Sequence, residues 1–204
     1  MTFNPQIPNW GKDFSEKYIK DLLSYHQWLL KTGVKTGLIS PKSKQFIWDE
    51  FVIHSLYFYK IISDLDKHER EIFDLGTGGG IPGVPVGIVS KQQVRLIDIK
   101  QKRIFELERF VSSNRHTNII PQKKDAELLL KNKENVVFLM RCYIPHSNLI
   151  ELLEKNIDNN KNNTFIVSSN SDTRNDLNNS FHVKQEKFLI NNNEYRYIDV
   201  ITVK

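Results

Sequence analysis

A glycine-rich turn between an apolar strand and a helix is the feature that most constrains how this chain folds. The segment reads Glu71-Ile-Phe-Asp-Leu-Gly-Thr-Gly-Gly-Gly-Ile-Pro-Gly83. Residues 72–75 predict a short buried strand, and the four glycines before Ile81 permit positive φ and a close approach of a ligand to the backbone. Pro82 suits the first turn of a helix, whose free N–H groups can receive a polar or anionic group. The segment therefore predicts a strand–loop–helix unit that binds a small, partly charged ligand.

Strand and helix patterns alternate along the chain after this segment. Apolar runs predict strands at 94–98, 117–120, 136–140 and 164–168, and periodic apolar faces predict helices at 82–90, 100–114, 125–131 and 146–155. In the second of these helices the residues expected to face inward are Ile104, Phe105, Leu107 and Val111. Two final strands, 181–190 and 195–203, are joined by 191–194 as an antiparallel hairpin. This order predicts an α/β fold with a parallel, doubly wound sheet that ends in a hairpin.

The residues before the glycine segment predict a helical extension. We expect residues 1–66 to form this extension and residues 67–204 to form the Rossmann-like domain. Apolar stripes place helices at 13–32 and 43–63, after an irregular lead-in. Asp13 and Glu16 have the spacing of a capping box, and Gly33 is the expected end of the first helix. The polar segment 172–179 predicts a loop or a poor helix.

Composition narrows the class of protein and its compartment. A length of 204 residues suits one α/β domain with a modest extension. Cys142 is the only cysteine, so no intramolecular disulfide can form, and no apolar run reaches the roughly 20 residues of a membrane helix. With no signal-peptide pattern at the N-terminus, we expect a cytoplasmic monomer that does not bind membranes. The net charge of +5 fits either a nucleic-acid partner or a solvated surface rich in lysine and asparagine.

Two kinds of nucleotide-like ligand compete for the glycine segment. Gly78-x-Gly80-x-x-Gly83, with Asp98 at the end of the next strand, fits the dinucleotide fingerprint. Asp74-x-Gly76-x-Gly78-x-Gly80 fits the first motif of the class I S-adenosylmethionine-dependent methyltransferases. The methyl donor is favoured because an acidic residue lies inside the strand and because the chain ends in a hairpin without a second substrate domain. The Asp74 carboxylate can orient the loop or accept a hydrogen bond from the ammonium group of the donor.

Asp98 has the same expected role with either ligand. A carboxylate at the end of the second strand accepts hydrogen bonds from two ribose hydroxyls, and its charge disfavours a ribose phosphate. The alternative is that Asp98 caps the helix that begins near Lys100.

The residues that continue the motif are more specific than the glycines alone. Phe73-Asp-Leu-Gly-Thr-Gly-Gly-Gly-Ile-Pro-Gly-Val-Pro-Val-Gly-Ile-Val89 resembles the signature of the bacterial small-subunit ribosomal RNA guanine-N7 methyltransferases, also called the glucose-inhibited division protein B family. Leu96-Ile-Asp98 with Lys102-Arg103-x-x-x-Leu107 is similar to that family's second strand and helix. Ala126-Glu127 matches its adenine-contacting pair, and Arg141 matches the arginine of its Ser-Arg-Ala segment. The similarity covers residues 70–150 well and the two N-terminal helices loosely.

The resemblance implies a site for S-adenosyl-L-methionine and a ribosomal RNA substrate. The implied donor-binding residues are Gly76, Ile81, Ala126, Glu127 and Arg141, with Asp98 on the ribose, and the motif itself adds Asp74, Gly78 and Gly80. Arg141 has an alternative role as a surface arginine at a strand end. The implied substrate is guanine N7 of 16S ribosomal RNA, free or in the small ribosomal subunit.

Departures from the family pattern lie on the RNA side. The family's Trp-Asn-x-x-x-Asn-Leu-Thr, Arg-His-x-x-Asp-Ser and Leu-Lys-Gly segments correspond here to Trp28-Leu-Leu-Lys-Thr-Gly-Val34, Glu50-Phe-Val-Ile-His-Ser55 and Val167-Ser-Ser-Asn170. The alternatives to the implied activity are therefore a methyltransferase acting on another RNA or a small molecule, and a catalytically silent RNA-binding relative.

Methyl transfer to guanine N7 needs few protein groups. N7 presents a lone pair and carries no proton, so alignment of nucleophile, methyl group and sulfur is the main requirement. We therefore predict no catalytic acid or base, and the sparse histidine and cysteine residues predict no metal site. An RNA substrate also requires a pocket for an unstacked guanine and a positive surface. The candidates for that surface are Lys100, Lys102, Arg103 and the loop near Lys35.

Overall fold

The sheet of this protein has the predicted α/β order. The computed structural model describes residues 3–65, 70–170, 180–191 and 194–204. Within these ranges one sheet holds seven strands: β1 Ile72–Leu75, β2 Val94–Asp98, β3 Ile119–Lys123, β4 Val137–Met140, β5 Thr164–Ser169, β6 Phe181–Leu189 and β7 Tyr195–Val203. Their order is β3-β2-β1-β4-β5-β7-β6, with β1 to β5 parallel and β7 antiparallel to both β5 and β6. The predicted doubly wound sheet and its terminal hairpin are confirmed.

Helices cover both faces of the sheet. In the described ranges they are α1 Asn9–Ser15, α2 Ile19–Trp28, α3 Lys44–Ile47, α4 His54–Asp64, α5 Gly83–Ser90, α6 Gln101–Asn114, α7 Ala126–Asn132 and α8 His146–Glu154. One apolar cluster joins α2, α4, α5 and α6 to one face of the sheet, and a second joins α7 and α8 to the other face. Alternation of side chains along the strands produces this division, since Ile72 lies in the first cluster and Phe73 in the second.

The start of the N-terminal helical region differs from the prediction. The first helix begins at Asn9, so Asp13 lies within it and does not cap it. Trp10 explains the earlier start: its ring packs against Tyr57 and Phe188, and its Nε1 donates to the carbonyl oxygen of Leu189 at 2.9 Å. These contacts come from α4 and β6, and no local pattern reports them.

The end of that helical region also differs. Helical turns continue past Gly33, and the chain ends them at Gly37, which has φ +72°. The amide of Leu38 donates to the Gly33 carbonyl at 2.9 Å, and the amide of Gly37 donates to Val34 at 3.2 Å. This is a Schellman motif, which requires the left-handed residue that only Gly37 supplies here.

Two predictions inside the α/β region were also wrong. Phe105 does not face inward; its side chain is 54% exposed on α6, whereas Ile104 and Leu107 are buried. Strand β3 begins two residues later than predicted and continues to Lys123, which pairs with Asp98. Pro121 is compatible with this strand because β3 is an edge strand.

Some predictions lie outside the described residues. They concern the segment 172–179, part of the hairpin turn at 191–194, and the boundary at residues 66 and 67 between the extension and the domain, which stays a prediction. In the part of the chain that the structure describes, every helix is too short or too polar to cross a bilayer.

Candidate functional site

The loop after β1 is held in a left-handed backbone conformation by its glycines. Gly76, Gly78 and Gly80 have φ values of +68°, +56° and +89°. The amide of Thr77 donates to the carbonyl oxygen of Ile97 at 2.9 Å, which ties the loop to the end of β2. A Cβ on Gly80 would lie 2.5 Å from Val84 Cγ2, so this position also has no room for a side chain. The glycine spacing thus meets both a conformational and a steric requirement.

Asp74, in the strand that precedes the loop, holds the loop by hydrogen bonds. It is fully buried in β1, and its Oδ2 accepts hydrogen bonds from the Thr77 hydroxyl and from the amide of Gly83 at 2.9 Å. Burial, opposed in part by those two hydrogen bonds, raises the pKa of Asp74 to about 7. Its Oδ1 is buried and has no hydrogen-bond partner among the described residues. Asp74 therefore orients the loop through Oδ2. Its Oδ1 can still accept a hydrogen bond, for example from a bound ligand.

Asp98 joins three parts of the site. Its Oδ2 accepts from the amide of Gly78 at 3.2 Å and from Arg103 Nη1 at 2.9 Å, while its Oδ1 accepts from the amide of Lys100 at 2.9 Å. Lys100 is itself the N-cap residue of α6, which has no side-chain cap, so the bond to Lys100 belongs to the turn before the helix and is not the cap considered from sequence. The bond to Gly78 is a direct contact with the loop. Asp98 is 5% exposed, and its role with a ribose stays a prediction.

The loop between β3 and α7 lies beside Asp98. The amide of Lys124 donates to the Asp98 carbonyl oxygen at 3.3 Å, and Asp125 caps α7 by accepting from the amide of Glu127 at 2.9 Å. Ala126 is buried and Glu127 is exposed. Ile99, which no sequence motif identifies, is 64% exposed directly after Asp98. An exposed large apolar side chain beside a polar loop supplies a surface for a flat ring.

The N-terminal helices contact the glycine loop directly. The Tyr25 hydroxyl of α2 donates to the carbonyl oxygen of Gly79 at 2.8 Å, and burial raises the pKa of this fully buried phenol. A Cβ on Gly79 would lie 3.3 Å from Ile39 Cγ2 and 3.4 Å from Leu29 Cδ2. The helical region therefore supports the loop from outside the sheet. No spacing in the sequence identifies Tyr25 for this role.

Arg141 lies near the loop edge but is bound to the N-terminal helices. It follows β4, and its guanidinium donates to the carbonyl oxygen of Glu50 and to Glu50 Oε2, the latter at 3.2 Å. Arg196, at the start of β7, donates to Glu50 Oε1. The side chains of Arg141 and Glu50 are only 12% and 10% exposed. The alternative role of Arg141 as a surface arginine is therefore wrong, and its role with the donor stays a prediction.

The charges of this cluster are set by its neighbours. Burial alone would raise the pKa of Glu50, but the guanidinium groups of Arg196 and Arg141, which donate hydrogen bonds to its carboxylate, lower it to about 2. Burial and the charge of Arg141 lower the pKa of His54 to about 4. His54 Nδ1 is 3.8 Å from Glu50 Oε2, so the neutral ring packs beside the carboxylate without a hydrogen bond to it.

Two cavities are lined by residues that follow the strands next to β1. One, of about 220 Å³, opens where β4 and β5 end and is lined by Tyr143, Met140, Val167, Ser168 and other residues of those segments. Tyr143 lies against the first glycine, because a Cβ on Gly76 would be 2.4 Å from Tyr143 Cδ2. The other, of about 610 Å³, lies between residues 36–38 and the start of α6. It brings together Lys100, Lys102 and Arg103, three of the basic residues that the sequence predicts for a positive surface.

Comparison with protein families gives one match over most of the chain. A family model described as "GidB: rRNA small subunit methyltransferase G" matches residues 18–192. The match includes every predicted donor residue, from Asp74 to Arg141, and also Tyr25 of α2, which donates to the loop.

Individual relatives carry the same name. A protein of Karelsulcia muelleri, "Ribosomal RNA small subunit methyltransferase G", is 38% identical over 103 residues, which are 50% of this chain and 46% of that protein. The protein of that name from Bacteroides thetaiotaomicron is 26% identical over 147 residues, 71% of this chain and 69% of the relative. The one from Flavobacterium johnsoniae is 31% identical over 117 residues, 56% of this chain and 52% of the relative. The matches thus span from about half to about two thirds of these proteins.

Solved structures share the fold at low sequence identity. The "delta-N METTL16 MTase domain" superposes with a TM-score of 0.57 at 13% identity, covering 90% of this chain and 97% of that one. The "Putative methyltransferase yhhF from Escherichia coli" superposes with a TM-score of 0.52 at 13% identity, covering 72% and 82%. These similarities support the methyltransferase type of α/β fold.

Proposed function

The chain belongs to the rRNA small subunit methyltransferase G (GidB) family, and from this premise we propose that it methylates guanine N7 in 16S ribosomal RNA with S-adenosylmethionine as the donor. The observation that carries the proposal is the pairing of two carboxylates with one glycine loop. Asp74 orients the loop from within β1, and Asp98 binds the same loop from the end of β2. We further propose that the protein acts as a cytoplasmic monomer.

The residues around the loop fit the proposed donor. Buried Asp74 Oδ1 is an acceptor without a partner in the described residues, and it suits an ammonium group. Asp98 suits the ribose hydroxyls, and Ile99, Ala126 and Glu127 form an apolar and polar edge next to it for the adenine. Gly76, Gly78, Gly80 and Ile81 supply the backbone around the methionine part. When bound, the donor supplies an electrophilic methyl group on a sulfonium.

In this reaction the protein residues position the guanine and the methyl donor, and none of them transfers a proton. Guanine N7 has a free lone pair, so the protein needs to align it with the methyl group and to exclude competing orientations. The cavity at the ends of β4 and β5, where Tyr143 contacts Gly76, adjoins the loop and is where a base can approach it. The basic residues at the start of α6 suit the RNA phosphates.

Genetic complementation tests the proposed activity. A strain that lacks the gene is expected to lose N7-methylguanosine from its 16S ribosomal RNA, as measured by mass spectrometry of RNA digests, and the wild-type gene is expected to restore it. Asp98→Asn removes the charge that holds Gly78 and is expected not to restore the modification. Asp158→Asn, a change at an exposed carboxylate paired with Lys161, is the matched control and is expected to restore it. Unchanged modification in the deletion strain would contradict the proposal.

A second candidate is a catalytically silent RNA-binding relative. It is favoured by one observation: Arg141, a donor residue by family resemblance, is bound to Glu50. Isothermal titration calorimetry with S-adenosylmethionine separates the two candidates. Micromolar affinity supports the enzyme, whereas retained binding of the small subunit without any donor affinity supports the silent relative.

A further inference from the structure

We propose that the cavity between residues 36–38 and the start of α6 binds one unpaired nucleotide of the RNA, with its base stacked on Phe105 and its phosphate on Lys100 and Lys102. The inference rests on the proposed function, since it assigns a second contact to the same substrate. That nucleotide would be a neighbour of the methylated guanine and not the guanine itself.

The size and composition of the cavity suit a nucleotide. Its volume is about 610 Å³, within the range of roughly 300–1,000 Å³ that small-molecule sites occupy. One wall is the backbone turn at Thr36, Gly37 and Leu38, and the other is the first turns of α6. The apolar side chains of Leu38 and Phe105 line the space together with the cationic ones. A planar base and an anionic phosphate therefore both find suitable surfaces here.

The side chain of Phe105 is exposed, although its neighbours on α6 are buried in the core. Its neighbours on the core side of α6, Ile104 and Leu107, are 1% and 0% exposed, while Phe105 is 54% exposed. The guanidinium of Arg109, one turn later on α6, lies 5.9 Å from the ring centre. An aromatic ring open to solvent and flanked by cations is the arrangement on which unpaired bases stack. A paired base in a duplex cannot reach such a ring with its face.

The charges around the ring favour a polyanion. Lys100 and Lys102 are exposed, and Arg103 pairs with Asp98 at 2.9 Å. Glu106 is the carboxylate that lines the cavity, and its Oε2 lies 3.5 Å from Arg109 Nη1. The lining therefore carries a net positive charge, and its two lysines are available for phosphate oxygens.

The cavity lies close to the glycine loop. Asp98 Oδ2 accepts from both Gly78 and Arg103, so a single carboxylate separates the glycine loop from the cavity lining. A strand whose target guanine approaches the loop from the Tyr143 side can continue past Asp98 into this cavity. The contact would fix the register of the RNA without touching the methyl group.

Binding of small ribosomal subunits from the deletion strain tests the assignment. Phe105→Ala is expected to weaken binding about tenfold, a value within the range known for loss of one stacked base. Phe105→Tyr keeps a ring and is expected to bind within twofold of wild type. Lys102→Gln is expected to weaken binding and to reduce the slope of log affinity against log salt by about 1, whereas Phe105→Ala leaves that slope unchanged.

Tyr195→Ala is the matched control for the stacking residue. Tyr195 is 49% exposed with Lys187 Nζ 4.2 Å from its ring centre, but it lies on β7, which is four positions from β2 in the sheet, beyond β1, β4 and β5. It is expected to bind subunits as wild type does. Donor affinity, measured by calorimetry, is expected to stay within twofold of wild type in Phe105→Ala, since Phe105 is not one of the proposed donor residues.

The results separate failure of the inference from failure of the proposed function. Wild-type affinity in Phe105→Ala, or an equal loss in Tyr195→Ala, overturns the inference while leaving the methylation assay unaffected. Wild-type protein that binds subunits but transfers no methyl group overturns the proposed function. The difference in subunit affinity between Phe105→Ala and wild type still tests whether the cavity binds RNA. Wild-type protein that binds no subunits overturns the inference, while the complementation assay still tests the proposed function.

Discussion

Asp74 combines two properties that a surface carboxylate does not have. It orients the glycine loop through Thr77 and Gly83, and its full burial raises its pKa to about 7. The carboxyl group of Asp74 ionises near pH 4 in the unfolded chain but only near pH 7 in the folded chain. Between these pH values the folded state therefore binds more protons than the unfolded state. Ionisation of Asp74 therefore lowers the free energy of unfolding as pH rises from 4 to 7.

Asp74→Asn is predicted to remove this pH dependence. The amide keeps one oxygen for the hydrogen bond from Gly83 but cannot ionise. Relative to wild type, the variant is expected to gain stability between pH 4 and pH 7, by up to about 4 kcal/mol at 1.36 kcal/mol per pKa unit. Urea unfolding at both pH values measures the difference, and parallel pH profiles for the two proteins would contradict a raised pKa at Asp74.

The residue scale also shows what the sequence could reveal about the site. The spacing of Asp74, the glycines and Asp98 is local, and each of these residues lies at the loop as expected. Tyr25, Glu50 and Tyr143 were missed because they reach the loop edge from elements that are distant in sequence. Their contribution depends on tertiary packing, which leaves no periodic or motif signal.

At the scale of elements, strands were easier to place than helix ends. Strands β2 and β7 have the predicted bounds, because buried runs flanked by polar residues have a clear pattern. Helix ends are harder to predict, because several nearby residues can each terminate a helix. Gly33 and Gly37 are both plausible terminators in the sequence, and only the hydrogen bonds from Gly37 and Leu38 identify the second.

Substitution of these two glycines tests that distinction. Gly37→Ala is predicted to destabilise the protein by about 1 kcal/mol, because an alanine at φ +72° is strained although no atom lies within 4 Å of the added Cβ. Gly33→Ala is the control: its Cβ would meet Leu29 Cδ2 at 3.4 Å, an ordinary contact, in a helical turn that alanine favours. Thermal unfolding compares the two variants, and an equal or larger loss in Gly33→Ala would place the helix end at Gly33.

At the scale of the whole molecule, buried charge joins parts that are far apart in the chain. Glu50 of the N-terminal helical region binds Arg141 after β4 and Arg196 at the start of β7. The sequence showed Glu50 only as a departure from a family segment, because its partners are 91 and 146 residues away. The cluster therefore couples the helical region to two strand ends, at β4 and β7.

Glu50→Gln is predicted to destabilise the whole protein in a pH-dependent way. The pKa of Glu50 is about 2 in the folded chain and near its ordinary value of 4.5 in the unfolded chain, so its stabilising charge is present above pH 4.5 and is lost as pH falls toward 2. The shift of about 2.5 units corresponds to about 3 kcal/mol at pH 7. The variant is expected to lose about that much stability at pH 7, and much less at pH 3, in urea unfolding experiments. Glu151→Gln, which removes an exposed carboxylate paired with Lys155, is the control and is expected to unfold as wild type does at either pH, because water and salt screen an exposed ion pair. An equal loss at both pH values would show that Glu50 stabilises the fold by packing and not by its charge.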